Sequence, residues 1–248
     1  MKRVLTVVTA IGVLAAGGAL AWFYSNGNAE PSTDLTAPPI NTSSTAAAYA
    51  AASTLARPTS YVISSADSLA SFTLNEELRG VEATVVGSTN QVAGEIIVDF
   101  DNPAVSVLGD VVVNARTFAT DSNNRNRAIR GAILSTDSFE FITFSPTSID
   151  GLPTEPTDEF TFTVTGDLTI RDTTQPVTFE VQVSGSSDRI EGTASSTVNR
   201  ADFGLIIPNV PFVANVDEEV TLTIDFVALP GWGNTTIRVV ASSTCRAL

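Results

Sequence analysis

Between Phe160 and Val183 the chain alternates apolar and polar residues almost one for one, and this alternation limits its fold more than any other feature. Phe160, Phe162, Val164, Leu168 and Ile170 share one phase, and Thr161, Thr163, Thr165, Asp167 and Thr169 share the other. Val177, Phe179, Val181 and Val183 repeat the pattern opposite Thr178, Glu180 and Gln182. Val220, Leu222, Ile224, Phe226 and Ala228 repeat it once more near the end. Side chains on a β-strand point to opposite faces in turn, so a period of two with one wet face specifies antiparallel strands that bury a single side.

Further strands are expected near Ser60–Ile63, Ser68–Leu78, Thr84–Thr89, Val92–Asp101, Val105–Ala115, Glu140–Pro146 and Arg189–Asn199. So many short strands with little helix between them indicate an all-β sandwich or closed barrel. One segment departs from the pattern. Asp121 or Ser122 can cap a helix over Asn123–Leu134, where Ala128/Ala132 and Ile129/Ile133 are i,i+4 pairs. A helix of this kind suits a plug or lid at one barrel end. Asn199-Arg200-Ala201-Asp202-Phe203-Gly204 reads as a turn with an Arg–Asp pair, closed by Phe203. Thr235–Ala241 could add an edge strand.

The N-terminus has a different texture. Lys2 and Arg3 precede an uncharged run from Val4 to Tyr24, whose length as a helix matches the roughly 30 Å hydrocarbon core of a bilayer. Trp22, Phe23 and Tyr24 close the run as an interfacial aromatic belt would. No basic residue follows until Arg57, so the positive-inside rule exports the remainder. Residues 1–24 are therefore a membrane anchor or a signal segment, with Gly27 and Ala29 as small residues suited to cleavage. Residues 25–56 are rich in Ser, Thr, Ala, Asn and Pro and poor in large apolar groups, the composition of a disordered tether. Residues 57–229 form the folded domain, and 230–248 a C-terminal tail.

Thirteen Lys+Arg against 27 Asp+Glu give a formal charge of -14, which repels nucleic-acid phosphates and argues against such a partner. The absence of histidine and the single cysteine, Cys245, exclude intrachain disulfides, His-based zinc sites and Ser–His or Cys–His nucleophiles. The acidic pairs Glu76/Glu77 and Glu218/Glu219 read as exposed strand ends rather than catalytic carboxylates. The chain is expected to be a binding protein and no enzyme.

Several segments, in order, resemble the YceI-like lipid/polyisoprenoid-binding family. They are Gly94-Glu95-Ile96, Val111 to Ser122 (VVVNARTFATDS), Arg125-Asn126-Arg127-Ala128-Ile129, Ile142-Thr143-Phe144, Gly166-Asp167-Leu168-Thr169-Ile170 and Asn199 to Gly204. The resemblance spans about Thr59 to Leu229. It implies an extended, eight-stranded, lipocalin-like antiparallel barrel with one short helix. It also implies a non-enzymatic role in the cell envelope, periplasmic or at the cell surface, with an isoprenoid or other amphiphilic lipid as partner and no cofactor. This sequence lacks the histidines that many members carry, and reads Arg125-Asn126-Arg127 where one of them falls.

The inward phase nominates Phe72, Leu74, Ile96, Val98, Phe100, Phe144, Phe160, Phe162, Val164, Phe179 and Phe226 as the lining of an apolar cavity. Alternation alone does not distinguish a hollow barrel from a filled one, and a structural or adhesive module with a solid core is the competing reading. Arg116, Arg125, Arg127 and Arg130 cluster with only Asp121 opposing them. Guanidinium forks bind phosphate or carboxylate, so these four are candidates for a head-group site at the barrel mouth beside the helix, the competing reading being a solvated helix face with local ion pairs.

Overall fold

The computed structural model describes residues 27–33, 35, 36, 40, 59–155, 157–209 and 213–231. The apolar run, Cys245 and the expected edge strand at 235–241 lie outside these residues. No helix among the described residues is long and apolar enough to cross a membrane.

Among the described residues, thirteen strands build one antiparallel sheet. They are β1 (Thr59–Ile63), β2 (Leu69–Leu78), β3 (Val81–Thr89), β4 (Val92–Ala93), β5 (Glu95–Val98), β6 (Val107–Leu108) and β7 (Val111–Asn114). After a helix, α1 (Asn123–Ala128), come β8 (Phe141–Asp150), β9 (Glu159–Ile170), β10 (Thr173–Ser186), β11 (Arg189–Asn199), β12 (Val213–Ala214) and β13 (Glu219–Pro230). The ladder runs β4-β7-β8-β9-β10-β11-β13-β1-β5-β6, with β2 also on β13, and β3 and β12 on β2. It curls around one core without returning to its first strand, so the sheet is a half-barrel rather than a closed eight-stranded ring. The strand number exceeds expectation because two long runs break. Val92–Asp101 is interrupted at Gly94, where a Cβ would stand 2.7 Å from Ile63 Cδ1. Val105–Ala115 is divided into a 3-10 turn, β6 and β7.

The alternation maps onto the sheet as the sequence requires. Val177, Phe179, Val181 and Val183 are buried on β10, while Thr178, Glu180 and Gln182 face water. On the wet face, the hydroxyls of Thr165 and Thr178 meet at 2.8 Å and those of Thr169 and Thr174 at 2.9 Å, cross-strand pairs of the kind that stabilise sheets. Ser122 caps α1 through its hydroxyl, which accepts from the Arg125 amide. The helix is shorter than expected. From Ile129 to Ile133 it widens into a π turn, closed by the Leu134 amide donating to the Ile129 carbonyl. Ile206 is 76% exposed, and beyond it β12 adds Val213 and Ala214 to the end of β2. Arg200 donates to the Leu205 and Asp217 carbonyls rather than to Asp202, whereas Phe203 is buried as expected.

Part of the expected tether is docked on the domain. The Gly27 and Ala29 amides donate to the two Asp137 carboxylate oxygens at 2.8 and 2.9 Å. Ser32 donates its amide and hydroxyl to Glu140, and the Glu30 carbonyl accepts from Arg116. Gly27 is buried with φ +80°, and a Cβ there would come within 2.6 Å of the Gly131 amide. Composition misses this because the contacts are backbone amides on carboxylates, which need no apolar side chain.

The Ala29 and Gly27 amides hold the Asp137 carboxyl below its usual range. Glu140 is opposed by desolvation, yet the Ser32 and Asn114 bonds and Arg116 hold it low as well. Folded-state values below the ordinary ones mean that docking is fully developed above the usual carboxylate range and is lost as pH falls through the lowered values. The Gly27 and Ala29 amide shifts should therefore stay constant from neutral pH through the usual carboxylate range of about 4, and move toward coil positions only at lower pH. Asp137→Ala should give coil shifts for both residues already at neutral pH.

Candidate functional site

The half-barrel interior divides into a filled end and an empty end. At the filled end, Phe144 meets Phe179 edge-on with ring centroids 5.0 Å apart, and Phe72 meets Phe118 at 5.4 Å. Gly166 makes the first packing possible, because a Cβ there would stand 2.5 Å from the Ser145 carbonyl oxygen and 2.7 Å from Phe144 Cζ. Gly87 leaves the same kind of space for Phe72. The α1 segment lies over this end, where Arg171, just after β9, donates to the Ile133 carbonyl.

The other end holds a cavity of about 440 Å³, within the range of small-molecule sites. Of the nominated residues, Ile96, Val98, Phe100, Phe160, Phe162, Val164 and Phe226 line it. Phe72, Leu74, Phe144 and Phe179 do not, since they belong to the filled end. Ile63, Val107, Leu108, Val111, Ile149, Leu152, Val181, Val183, Ile190, Ala194 and Ile224 complete the wall. The inward phase of β10, β11 and β13 marks several of these. Leu152, Val107 and Leu108 sit on loops or two-residue strands where no period exists to read. The mouth is framed by the β8–β9 loop (Leu152, Thr157, Asp158), the end of β10 and its turn to β11 (Gly185, Ser186, Ser187) and the β5–β6 loop (Pro103, Ser106). Tyr61 braces this end: its hydroxyl donates to the Ser187 carbonyl at 2.8 Å and its ring packs edge-on against Phe100. Burial, helped by the nearby Asp188 charge, pushes the Tyr61 phenol above its ordinary value.

None of the four nominated arginines lines the cavity. They cluster at the filled end and are engaged there. Arg116 pairs with Glu140 at 2.6 Å and also donates to the Thr136 and Asp137 carbonyls. This locks the corner after β7, where buried Asn114 accepts from the Arg116 amide and donates to Glu140. Arg125 bridges Asp121 and Glu76, the latter at 2.7 Å. Arg127 donates to Asn124, and Arg130 reaches the Arg116 carbonyl. Glu76 is thus no exposed strand end. It is 7% exposed, on the inward phase of β2, and its charge is met by Arg125.

The two ends should respond differently to truncation. Phe179→Ala removes a ring packed on all sides and should cost about 3–5 kcal/mol, read by chemical denaturation. Phe160→Ala, whose ring already borders empty space, should cost less than half of that. Arg125→Ala strands the Glu76 carboxylate and should cost on the order of 3 kcal/mol, with no change in affinity for an uncharged apolar tail.

Comparisons with known proteins fit this architecture. A family model described as the YceI-like domain matches residues 61–228. A protein of Pseudomonas fluorescens (strain SBW25) named UPF0312 protein is 31% identical over 118 residues, 45% of this chain, and the match spans 60% of that relative's length. Burkholderia cenocepacia BcnA shares the fold with a TM-score of 0.52 at 17% identity, over 66% of this chain and 98% of that one. A polyisoprenoid binding domain from Saccharophagus degradans, implicated in plant cell wall breakdown, superposes with a TM-score of 0.51 at 13% identity, over 71% of this chain and all of that one. With its curled antiparallel sheet, its short helix over one end and this match across the folded domain, the chain belongs to the YceI-like family.

Proposed function

We propose that the protein is a non-enzymatic carrier or store that holds the apolar tail of one amphiphilic lipid, an isoprenoid or a chain of similar girth, in the cavity between β5, β9, β10 and β13. The observation that carries this reading is the cavity's wall, in which rings and aliphatic side chains converge and Asp158 is the sole charged lining residue among the described residues. At about 30 Å³ per water-sized group, the space suits on the order of fifteen carbons, or three five-carbon units. Burying them is worth about 12 kcal/mol at about 0.8 kcal/mol per carbon. Set against at least about 4 kcal/mol for association, this allows affinities up to about micromolar. Tail length rather than any polar contact would set the strength of binding. A solid structural module is disfavoured by the same cavity, since empty apolar space costs stability that a purely structural core has no reason to bear.

The expectation that the domain is exported and held at a membrane by residues 1–24 belongs to the same proposal, supported by the uncharged run and its aromatic close. An anchor ending at Tyr24 and a dock beginning at Gly27 would hold the helix-covered end nearest the bilayer and turn the mouth away from it.

Organic extraction of the purified full-length chain, followed by mass spectrometry, tests the carrier reading. The wild type should release a stoichiometric apolar lipid. Ala194→Phe, which builds a ring into the empty space, should release none and change stability by no more than about 1–3 kcal/mol. If the wild type extracts clean after exposure to membranes, the reading fails.

A further inference from the structure

The charges are sorted along the barrel in a way that bears on which head group the mouth accepts. Of the described arginines, Arg79, Arg116, Arg125, Arg127, Arg130, Arg171 and Arg200 all stand at the filled end. They lie on the β2–β3 turn, around α1, after β9 and after β11. Only Arg189 stands near the mouth, and it is paired with Glu191. The mouth carries acids instead. The exposed residue Asp158 is part of the cavity lining. Asp188, exposed in the turn after β10, follows the lining residue Ser187, and its charge acts on Tyr61. Asp99 is not one of this set: it is 2% exposed, lies on the phase opposite Val98 and Phe100, and accepts the Asp101 and Asn102 amides at 3.0 Å.

We infer that the cavity discriminates by head-group charge, taking amphiphiles that end in a cationic group such as an amine in preference to those that end in phosphate or carboxylate. The inference rests on the carrier reading and specifies its ligand class. The physical reason is positional. A tail seated among Phe160, Phe162 and Phe226 puts its polar end near Asp158 and Asp188, with no guanidinium among the described lining residues to receive an anion. Bringing a like charge to a low-dielectric rim costs free energy that a cation recovers as attraction. An uncharged head falls between the two. The region that sequence reading assigns to anion binding is thus separated from the mouth by the filled half of the barrel.

The test is calorimetric titration of the full-length chain, held in nanodiscs of zwitterionic lipid with empty discs as reference, against three ligands with one tail: farnesylamine, farnesol and farnesyl phosphate. At an ionic strength of about 0.01 M, farnesylamine should bind about tenfold or more tightly than farnesyl phosphate, with farnesol between them. At about 1 M the gap should shrink to about threefold or less, because screening then acts within about 3 Å. Asp158→Asn combined with Asp188→Asn should narrow the low-salt gap by most of its size. Glu82→Gln combined with Asp172→Asn, the same charge change on exposed residues at the filled end, should leave the gap in place. Equal binding of amine and phosphate, tighter binding of phosphate, or equal narrowing by both double variants would overturn the inference while leaving the carrier reading intact. Failure of all three ligands to bind would overturn both.

Discussion

Phe144 packed edge-on against Phe179, over a glycine that leaves room for the ring, closes the barrel interior halfway along its length. Everything on one side of that contact is ordinary core, where Phe72, Phe118, Leu168, Ile170 and Phe203 fill the space beneath the helix. Everything on the other side is wall. A strand such as β9 therefore has two roles along one face: Leu168 and Ile170 are structural, while Phe160 and Phe162, ten residues or fewer away on the same phase, border empty space. The stability of the domain rests on the first set, which leaves the second free to be shaped for a ligand.

The polar devices follow the same division. At the filled end, inward or partly buried charges are matched: Glu76 by Arg125, Glu140 by Arg116 and Asn114. Such pairs resist substitution of one partner because the survivor is left desolvated. They also explain why a cluster of arginines in the sequence is not in itself a binding site. Each guanidinium there has carbonyls or carboxylates of its own chain within reach. At the mouth no such matching is needed, because the acids face water.

The N-terminal segment adds a constraint that its composition conceals. Gly27, Ala29 and Ser32 use backbone amides to satisfy Asp137 and Glu140, and Ile40 Cγ1 lies 2.7 Å from where a Cβ on Gly109 would stand. Low hydrophobicity predicts that a segment does not build a core of its own. It does not predict whether a finished domain offers acceptors to that segment. The dock depends on ionised carboxylates, which ties this part of the chain to pH.

The sequence alone determined the fold class, the wet and dry face of each long strand, a helix start capped at Asp121 or Ser122 and the family, because these depend on local period and on short motifs of neighbouring residues. It also nominated most of the aromatic wall, since Phe160, Phe162 and Phe226 sit on unbroken phases and Phe100 continues the alternation of Ile96 and Val98. Only the tertiary structure decided which inward residues meet partners and which face a void, because that depends on what stands opposite across the interior. Phe179 and Phe160 look alike in sequence and differ only in having or lacking a Phe144 to meet. The same holds for the arginines: their number and spacing are sequence facts, whereas their distance from the mouth and their commitment to Glu76 and Glu140 follow from strands that are remote along the chain.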